Sequence, residues 1–419
     1  GRAITMDGYE IIEDADVVVS GNRITAVGPR GRVDVPGGAE VIDVSGKTIV
    51  PGYVDTHYHT QWLLTNVHSE QVWQYLPNLA WGVTTTQDVQ TAQTDILTYH
   101  DLVEAGRMLG PRIYHTGPGV FAGENIQDLD HARDVLSRYS DYYGLTTFKM
   151  YMSGNRQQRQ WLIMAARELE LRPTTEGGLD FKLELTHATD GYSGIEHSLT
   201  VAPLFEDVVQ LFNATQTTYT PTLLVSYGGP WAENWFYTRE SPLDDPKMLR
   251  FNPYEDLESK AARRVGGTGG WFRDEQHVFQ KHAVFVNDLL QAGGRVGVGG
   301  HGQIHGVGWH WELRTMQSGG MSEHDALRAA TIYGAEAIGF GDDLGTLEAG
   351  KLADIVILDS DPLEDIRNAA AIHAVMKNGR LYDGDTLDET WPRQRPLPHY
   401  YWMDQAPEGV GAGIGGGRE

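Results

Sequence analysis

Pro51–His59 reads PGYVDTHYH. The apolar run Thr48-Ile49-Val50 enters a Pro-Gly turn and resumes at Tyr53, which leaves His57 and His59 two residues apart at the end of an extended segment. Alternation along a strand points residues i and i+2 to the same side, so both imidazoles face one point. Neutral imidazole nitrogens suit zinc and other late divalent ions, and two of them make half of a metal site. The competing reading is a pair of histidines buried or solvated by chance, which leaves the Pro-Gly entry and the adjacent Asp55 unexplained.

Composition narrows what surrounds this stretch. The chain has 419 residues, 40% of them hydrophobic and 21% charged, which suits a barrel of about 250 residues plus something smaller. A net charge of -24 argues against nucleic acid, whose binding rests on Lys and Arg neutralising phosphates, and against an anionic membrane surface. There is no cysteine, so any metal must be held by His, Asp, Glu or a modified Lys. No run is apolar enough to span a bilayer and no charged-then-apolar leader opens the chain. The start at Gly1, already within a strand-like region, suggests a processed fragment of a longer precursor. The expectation is a soluble protein of bacterial type, cytoplasmic or processed and extracytoplasmic.

Working outward, residues 1 to about 50 read as short strands, with Ser20-Gly21-Asn22 marking a hairpin. A block of the same style, GKLADIVILDSDP and AIHAVMKNGRLYDG, lies near the other end, so the two ends are expected to meet in one small β-domain, 1–51 with 343–399. Between them, 52–342 alternates strand-like and helix-like segments, the pattern of βα units around a parallel sheet. The eight candidate strands are IVPGYVDTHYH, GVTTTQDV, PRIYHTG, LTTFKMY, LRPTTEG, GYSGIEHS, TYTPTLLVS and GRVGVGGHG. RQWLIMAARELE and SEHDALRAATIYGAEAIG show helical periodicity. Eight such units make an α/β barrel of the TIM type, with reactive groups at the C-terminal ends of its strands. An insertion at about 228–275 carries Trp231, Trp235, Phe236, Tyr237, Trp271 and Phe272 without a clear period; it reads either as a lid or substrate wall or as a surface subdomain packing on itself. Residues 400–419, ending in GVGAGIGGGRE, read as a mobile tail.

Lys149 ends LTTFKMY between Phe148 and Met150. A desolvated lysine there has a lowered pKa and can add carbon dioxide to form a carbamate, able to bridge two metal ions about 3.5 to 4 Å apart; a snorkelling lysine or a plain salt bridge fits the local sequence equally. His197 ends GYSGIEHS with Glu196 on the opposite side; alone it reads as a core histidine, but after His57, His59 and Lys149 at earlier strand ends it reads as a ligand. Tyr151 points the same way as Lys149 and is a candidate hydrogen-bond donor to a substrate carbonyl, or a core tyrosine. Arg156 and Arg159 are candidates for a substrate carboxylate, or solvated surface residues. His305 is a candidate pocket residue, whereas His310 and Trp311 read as the start of a packed helix. No GxxxxGK loop, GxSxG elbow or dinucleotide GxGxxG setting occurs.

The chain resembles the amidohydrolase superfamily, in its branch of imidazolonepropionase-like and prolidase-like metal hydrolases. The resemblance is carried by SGKTIVPGYVDTHYH, WGVTTTQDV, FKMY, GIEHS and DLGTLEAGKLADIVILDSDPLEDI. It implies a (β/α)8 barrel with a small β-sandwich made from both termini, and one or two divalent metals, zinc foremost, activating water. It also implies His57 and His59 as paired ligands, Lys149 as a bridging lysine carboxylated by carbon dioxide, and His197 as the sixth-strand ligand. Two positions depart from the pattern. Glu176 stands where the family has a fifth-strand histidine, and His301 stands where the eighth strand ends in aspartate. The departures read as an exchange, with Glu176 an oxygen ligand and His301 the proton carrier; a shifted alignment would make His187 the fifth ligand instead.

The function implied is hydrolysis of an amide C–N bond, in a dipeptide or N-acyl amino acid. Lactones, cyclic imides and phosphotriesters are served by the same chemistry. A barrel that has lost catalysis and acts as a scaffold is the alternative of another class. A small molecule or short peptide is the expected partner, and self-association into a homo-oligomer is expected.

Overall fold

The computed structural model describes residues 1–60, 68, 70–89, 92–151, 154–263 and 272–407. Its centre is α/β. Tyr53–Tyr58, Val83–Asp88 and Arg112–His115 pair in parallel. Thr147–Tyr151, Arg172–Glu176, Gly194–Glu196 and Thr218–Thr220 form a second parallel run, edged by Val120–Phe121. All seven lie within the strand-like segments read from sequence, and each is buried along nearly its whole length, as strands covered by helices must be.

The eighth candidate, GRVGVGGHG, is not a regular strand: it makes one parallel bridge, Val296 to Tyr219. It nevertheless joins the two runs. Tyr219 N–H donates to Arg295 O, Gly297 N–H to Tyr219 O, Thr56 N–H to Val298 O and His301 N–H to His57 O. Glycine is what allows this. A Cβ on Gly299 would lie 2.6 Å from both His57 Cβ and Thr220 Cγ2, so only a bare backbone fits between the first and seventh strands.

The two chain ends meet in one seven-stranded sheet. Thr48–Pro51 pairs in parallel with Arg2–Ile4 and antiparallel with Ile355–Leu358, Val50 lying opposite Val356. The hairpin Ala15–Ser20 with Arg23–Pro29 covers part of it, enclosing Ala3, Ala15, Ile24, Ile49 and Ile355. Pro51 ends its strand of this sheet and Tyr53 begins the first inner strand, so the opening stretch is the crossing point between two structural units. Gly52 makes the crossing, its N–H bonded to Asp354 O, and any side chain there would run into Thr84.

Helices cover the parallel strands. Arg156–Glu168 starts with a capping box between Asn155 and Gln158 and buries Leu162, Ile163, Ala165 and Ala166. The periodic stretch near the end divides into Glu323–Ala330 and Ile332–Ala337. The insertion is more regular than its sequence suggests: Ala232–Tyr237, Pro246–Phe251 and Tyr254–Arg263 are helical. Such short helices leave too few turns for a period to register; they are held by tertiary packing, with Phe236 stacked on Trp311 at 5.0 Å. Trp271 lies outside the described residues. The tail expected from residue 400 begins with packed residues, Tyr400 and Trp402 being buried and stacked 4.6 Å apart; 408–419 lie outside the described residues. No helix among the described residues is long and apolar enough to cross a membrane.

Gly299→Ala is predicted to lower the urea midpoint of unfolding by an amount equivalent to about 1–3 kcal/mol, the usual cost of forcing extra volume into a packed interior. An unchanged midpoint would show that the eighth segment can step away from His57 at no cost.

Candidate metal centre

The first inner strand delivers its residues by alternation. Asp55, His57 and His59 lie on one side, and Asp55 Oδ1 accepts the N–H groups of His57 and Gly300 at 3.1 and 3.0 Å. This anchors the strand end to the eighth segment. His57 is fully buried, and its Nε2 stands 3.1 Å from His59 Nε2. His57 Nδ1 stands 2.5 Å from Glu196 Oε2.

Glu196 was placed on the opposite side from His197 by alternation, and the structure corrects this. His197 has φ +69°, a left-handed conformation that breaks the strand and lets two consecutive side chains turn inward. Glu196 accepts the hydroxyl of Thr174 at 2.5 Å on one oxygen and meets His57 and Lys149 with the other. His197 Nε2 lies 3.4 Å from Glu176 Oε2, and its Nδ1 lies 2.8 Å from Thr222 Oγ1.

Lys149 is buried, with Nζ 2.9 Å from Glu176 Oε2 and 3.5 Å from Glu196 Oε2. These two carboxylates act against the desolvation that the sequence reading assigned to the lysine. Burial does push the ammonium toward losing its proton, but the carboxylates of Glu196 and Glu176 outweigh it and the pKa is raised. Burial also works against ionisation of Glu176, yet Lys149 and then His197 hold it well below the usual carboxylate range.

His301 completes the cluster. Its backbone is left-handed, φ +61°, and its ring centroid is 5.0, 4.9 and 5.0 Å from those of His57, His59 and His197. One nitrogen from each of His57, His197 and His301 falls within 4.8 Å of the others. Burial pushes the imidazoles of His57, His59 and His301 well below their ordinary pKa, which keeps them neutral with lone pairs available.

These residues fit a divalent metal. Tetrahedral ligands about 2.0–2.1 Å from zinc are separated by roughly 3.3 Å, close to the 3.1 Å between the Nε2 atoms of His57 and His59. His301 Nδ1 is buried with no hydrogen bond among the described residues, a costly state for a polar atom unless something binds it. Glu196 Oε2 lies against the other nitrogen of His57, the place from which an outer carboxylate can orient a ligating imidazole.

The cluster opens on a cavity of about 370 Å³. Tyr151 lines it as expected, its phenol pKa raised by the charge of Glu176. Tyr227, Trp231 and Gln303 line it too; of these only Trp231 stood out in the sequence. His305 does not: it is buried between Tyr58 and Trp73, ring centroids 5.4 and 5.2 Å away, because the glycines around it turn it into the packing beneath the strands. Arg156 is engaged by Asp190, which accepts from its Nε at 3.0 Å and its Nη2 at 2.6 Å, and it is not among the residues that line the cavity. Arg159 donates to Gly154 O. His187 sits on helix Phe181–Asp190 against Tyr192, while Glu176 is the fifth-strand residue that reaches the cluster.

The family model described as "Amidohydrolase family" matches residues 262–382. A 5-methylthioadenosine/S-adenosylhomocysteine deaminase of Symbiobacterium thermophilum is 21% identical over 405 residues, covering 86% of this chain and 84% of that protein. An imidazolonepropionase of Rubrobacter xylanophilus is 47% identical over 66 residues, 15% of this chain and 16% of that protein. Among solved structures, a Xaa-Pro dipeptidase with bound methionine in its active site superposes with a TM-score of 0.69 at 19% identity, covering 91% of this chain and 98% of that one. Molinate hydrolase does so with a TM-score of 0.71 at 18% identity, covering 96% and 97%. The superpositions show that the chain shares the α/β fold of these structures, which implies a TIM-like barrel with an extra domain. With the family match over residues 262–382, they show what the chain is similar to: amidohydrolases, over part of its sequence and in its fold.

Proposed function

We propose that the chain is a metal-dependent hydrolase that cleaves a C–N bond, most concretely an amide. The observation that carries this reading is the meeting of His57, His59, His197 and His301 with Lys149 and Glu176 at the floor of one cavity. The architecture that goes with it is a (β/α)8 barrel over 52–342, a β-sandwich from 1–51 and 343–399, and a homo-oligomer.

His57, His59, Glu176 and His197 would hold one or two divalent ions, zinc foremost, with Lys149 carboxylated when metal is present. The metal supplies Lewis acidity that makes water nucleophilic near neutral pH. The chain's own residues do the rest. Glu196 keeps the outer nitrogen of His57 engaged and so orients the ring. His301, kept neutral by burial, accepts a proton and passes it to the leaving nitrogen. Tyr151 is placed at the cavity wall to donate to the substrate carbonyl.

Recognition follows from the lining. Among the described residues that line the cavity, Lys149 is the one basic side chain apart from the histidines, and it is paired with Glu176. The walls are instead Tyr151, Tyr227, Trp231 and Val225, which favours an uncharged, planar or apolar group over a free carboxylate. A dipeptide or N-acyl amino acid then binds through its acyl part. Lactones, cyclic imides and phosphotriesters remain alternatives on the same site, and an inactive scaffold the alternative of another class. A second C–N reading, deamination of an aromatic heterocycle, is favoured by the stacking of Tyr227 on His197 at 5.6 Å and by the deaminase likeness.

Metal analysis of the purified protein is expected to give stoichiometric zinc or a similar ion, and a chelator to abolish turnover. His301→Ala should lower kcat at least about 10²-fold, the lower end of general acid–base contributions, while metal content is retained. Loss of one metal equivalent would make His301 a ligand, and full activity would refute its role altogether. In ¹³C-bicarbonate, metal-loaded protein should show a carbamate carbon signal that Lys149→Arg lacks. A panel of dipeptides, N-acyl amino acids and aminopurines, read by amine against ammonia release, decides between the two C–N readings. No turnover and no metal together would leave the scaffold.

A further inference from the structure

Beside the cluster, the turn after the seventh strand holds an unusual backbone. Thr222 has φ +43° and ψ 57°, the left-handed region that a β-branched residue rarely enters. Such a conformation persists only where its surroundings enforce it. Its hydroxyl is the partner of His197 Nδ1 at 2.8 Å, and Thr222 is fully buried.

The enforcement comes from Glu312. Leu223–Val225 forms one 3-10 turn directly after Thr222, and the leading N–H groups of such a turn have no partner within it. Leu223 N–H donates to Glu312 Oε1 at 2.7 Å and Leu224 N–H to Glu312 Oε2 at 2.8 Å. Glu312 is fully buried on helix Val307–Gln317, and a buried carboxylate is tolerated only when its oxygens are bonded. Both oxygens are spent on this turn.

We propose that Glu312 is a positioning residue for the metal centre: it clamps the turn Leu223–Val225, so that Thr222 keeps its left-handed backbone and its hydroxyl fixes His197 through Nδ1. This deepens the metal reading and rests on it. When His197 ligates through Nε2, Nδ1 must carry the proton, and the Thr222 oxygen accepts it. A hydroxyl suits the place because it can also donate when the ring takes its other tautomer.

The test uses the full chain and zinc alone as probe. Zinc affinity, measured by competition with a chromophoric chelator, should fall roughly 10- to 100-fold in Thr222→Val and in Glu312→Gln, the usual cost of losing an outer partner of a ligand. Glu312→Gln keeps the side-chain shape and one acceptor oxygen, so folding is retained and checked by circular dichroism. Thr222→Ser should restore wild-type affinity, and Thr222→Val/Glu312→Gln should bind no more weakly than Thr222→Val, because Glu312 acts through Thr222. In zinc-loaded protein the slowly exchanging Nδ1 proton of His197 should be seen by NMR in wild type and Thr222→Ser, and lost in Thr222→Val. A merely structural role would lower melting temperatures and leave zinc affinity and this proton unchanged, overturning the proposal. Wild-type protein that retains no zinc would overturn the metal reading along with it.

Discussion

Everything at the floor of the cavity is tied to one buried cation. Lys149 sits on the fourth parallel strand with Glu176 and Glu196 on the next two, and an ammonium in the interior costs several kcal/mol unless carboxylates meet it there. Satisfying it draws three strand ends together. Glu196 then has one oxygen left for Thr174 and shares the other between Lys149 and His57, which carries the constraint across to the first strand. The histidines stand around a polar floor in which one ammonium meets two carboxylates, and burial keeps the rings of His57, His59 and His301 uncharged. Such a floor is suited to receive a further positive charge.

The imidazoles themselves are aimed by departures from regular strand structure. His197, Thr222 and His301 are all left-handed, although none is glycine, and residues held this way concentrate where function demands a geometry the regular element cannot give. His301 reaches the others because Gly299 lets its segment lie against His57 and Thr220, and because its own N–H is bonded to His57 O. The strands set the depth of the site, and the breaks at their ends set its directions.

How much of this could be read from the chain follows from the same distinction. Strand-like patterning made seven of the eight strands legible, and with them the shared side of His57 and His59, whereas Glu176 was picked out only by the family resemblance. The joining of Thr48–Pro51 to Ile355–Leu358 was legible as two blocks of one style. Glu196 was not, since a single left-handed residue reverses the side it faces. Arg156 and His305 were misread because their partners, Asp190 in one case and Tyr58 with Trp73 in the other, come from distant parts of the chain.

By itself, then, the sequence determined the alternating α/β order, the meeting of the two ends and the residue types gathered at the strand ends, since local periodicity and turn chemistry encode these directly. The tertiary structure alone decided which carboxylate backs which imidazole, which arginine is already paired, and that the glycine-rich eighth segment closes the site without being a strand. Those outcomes depend on the burial of charges and on close backbone approach between segments far apart in the chain, which no local pattern carries.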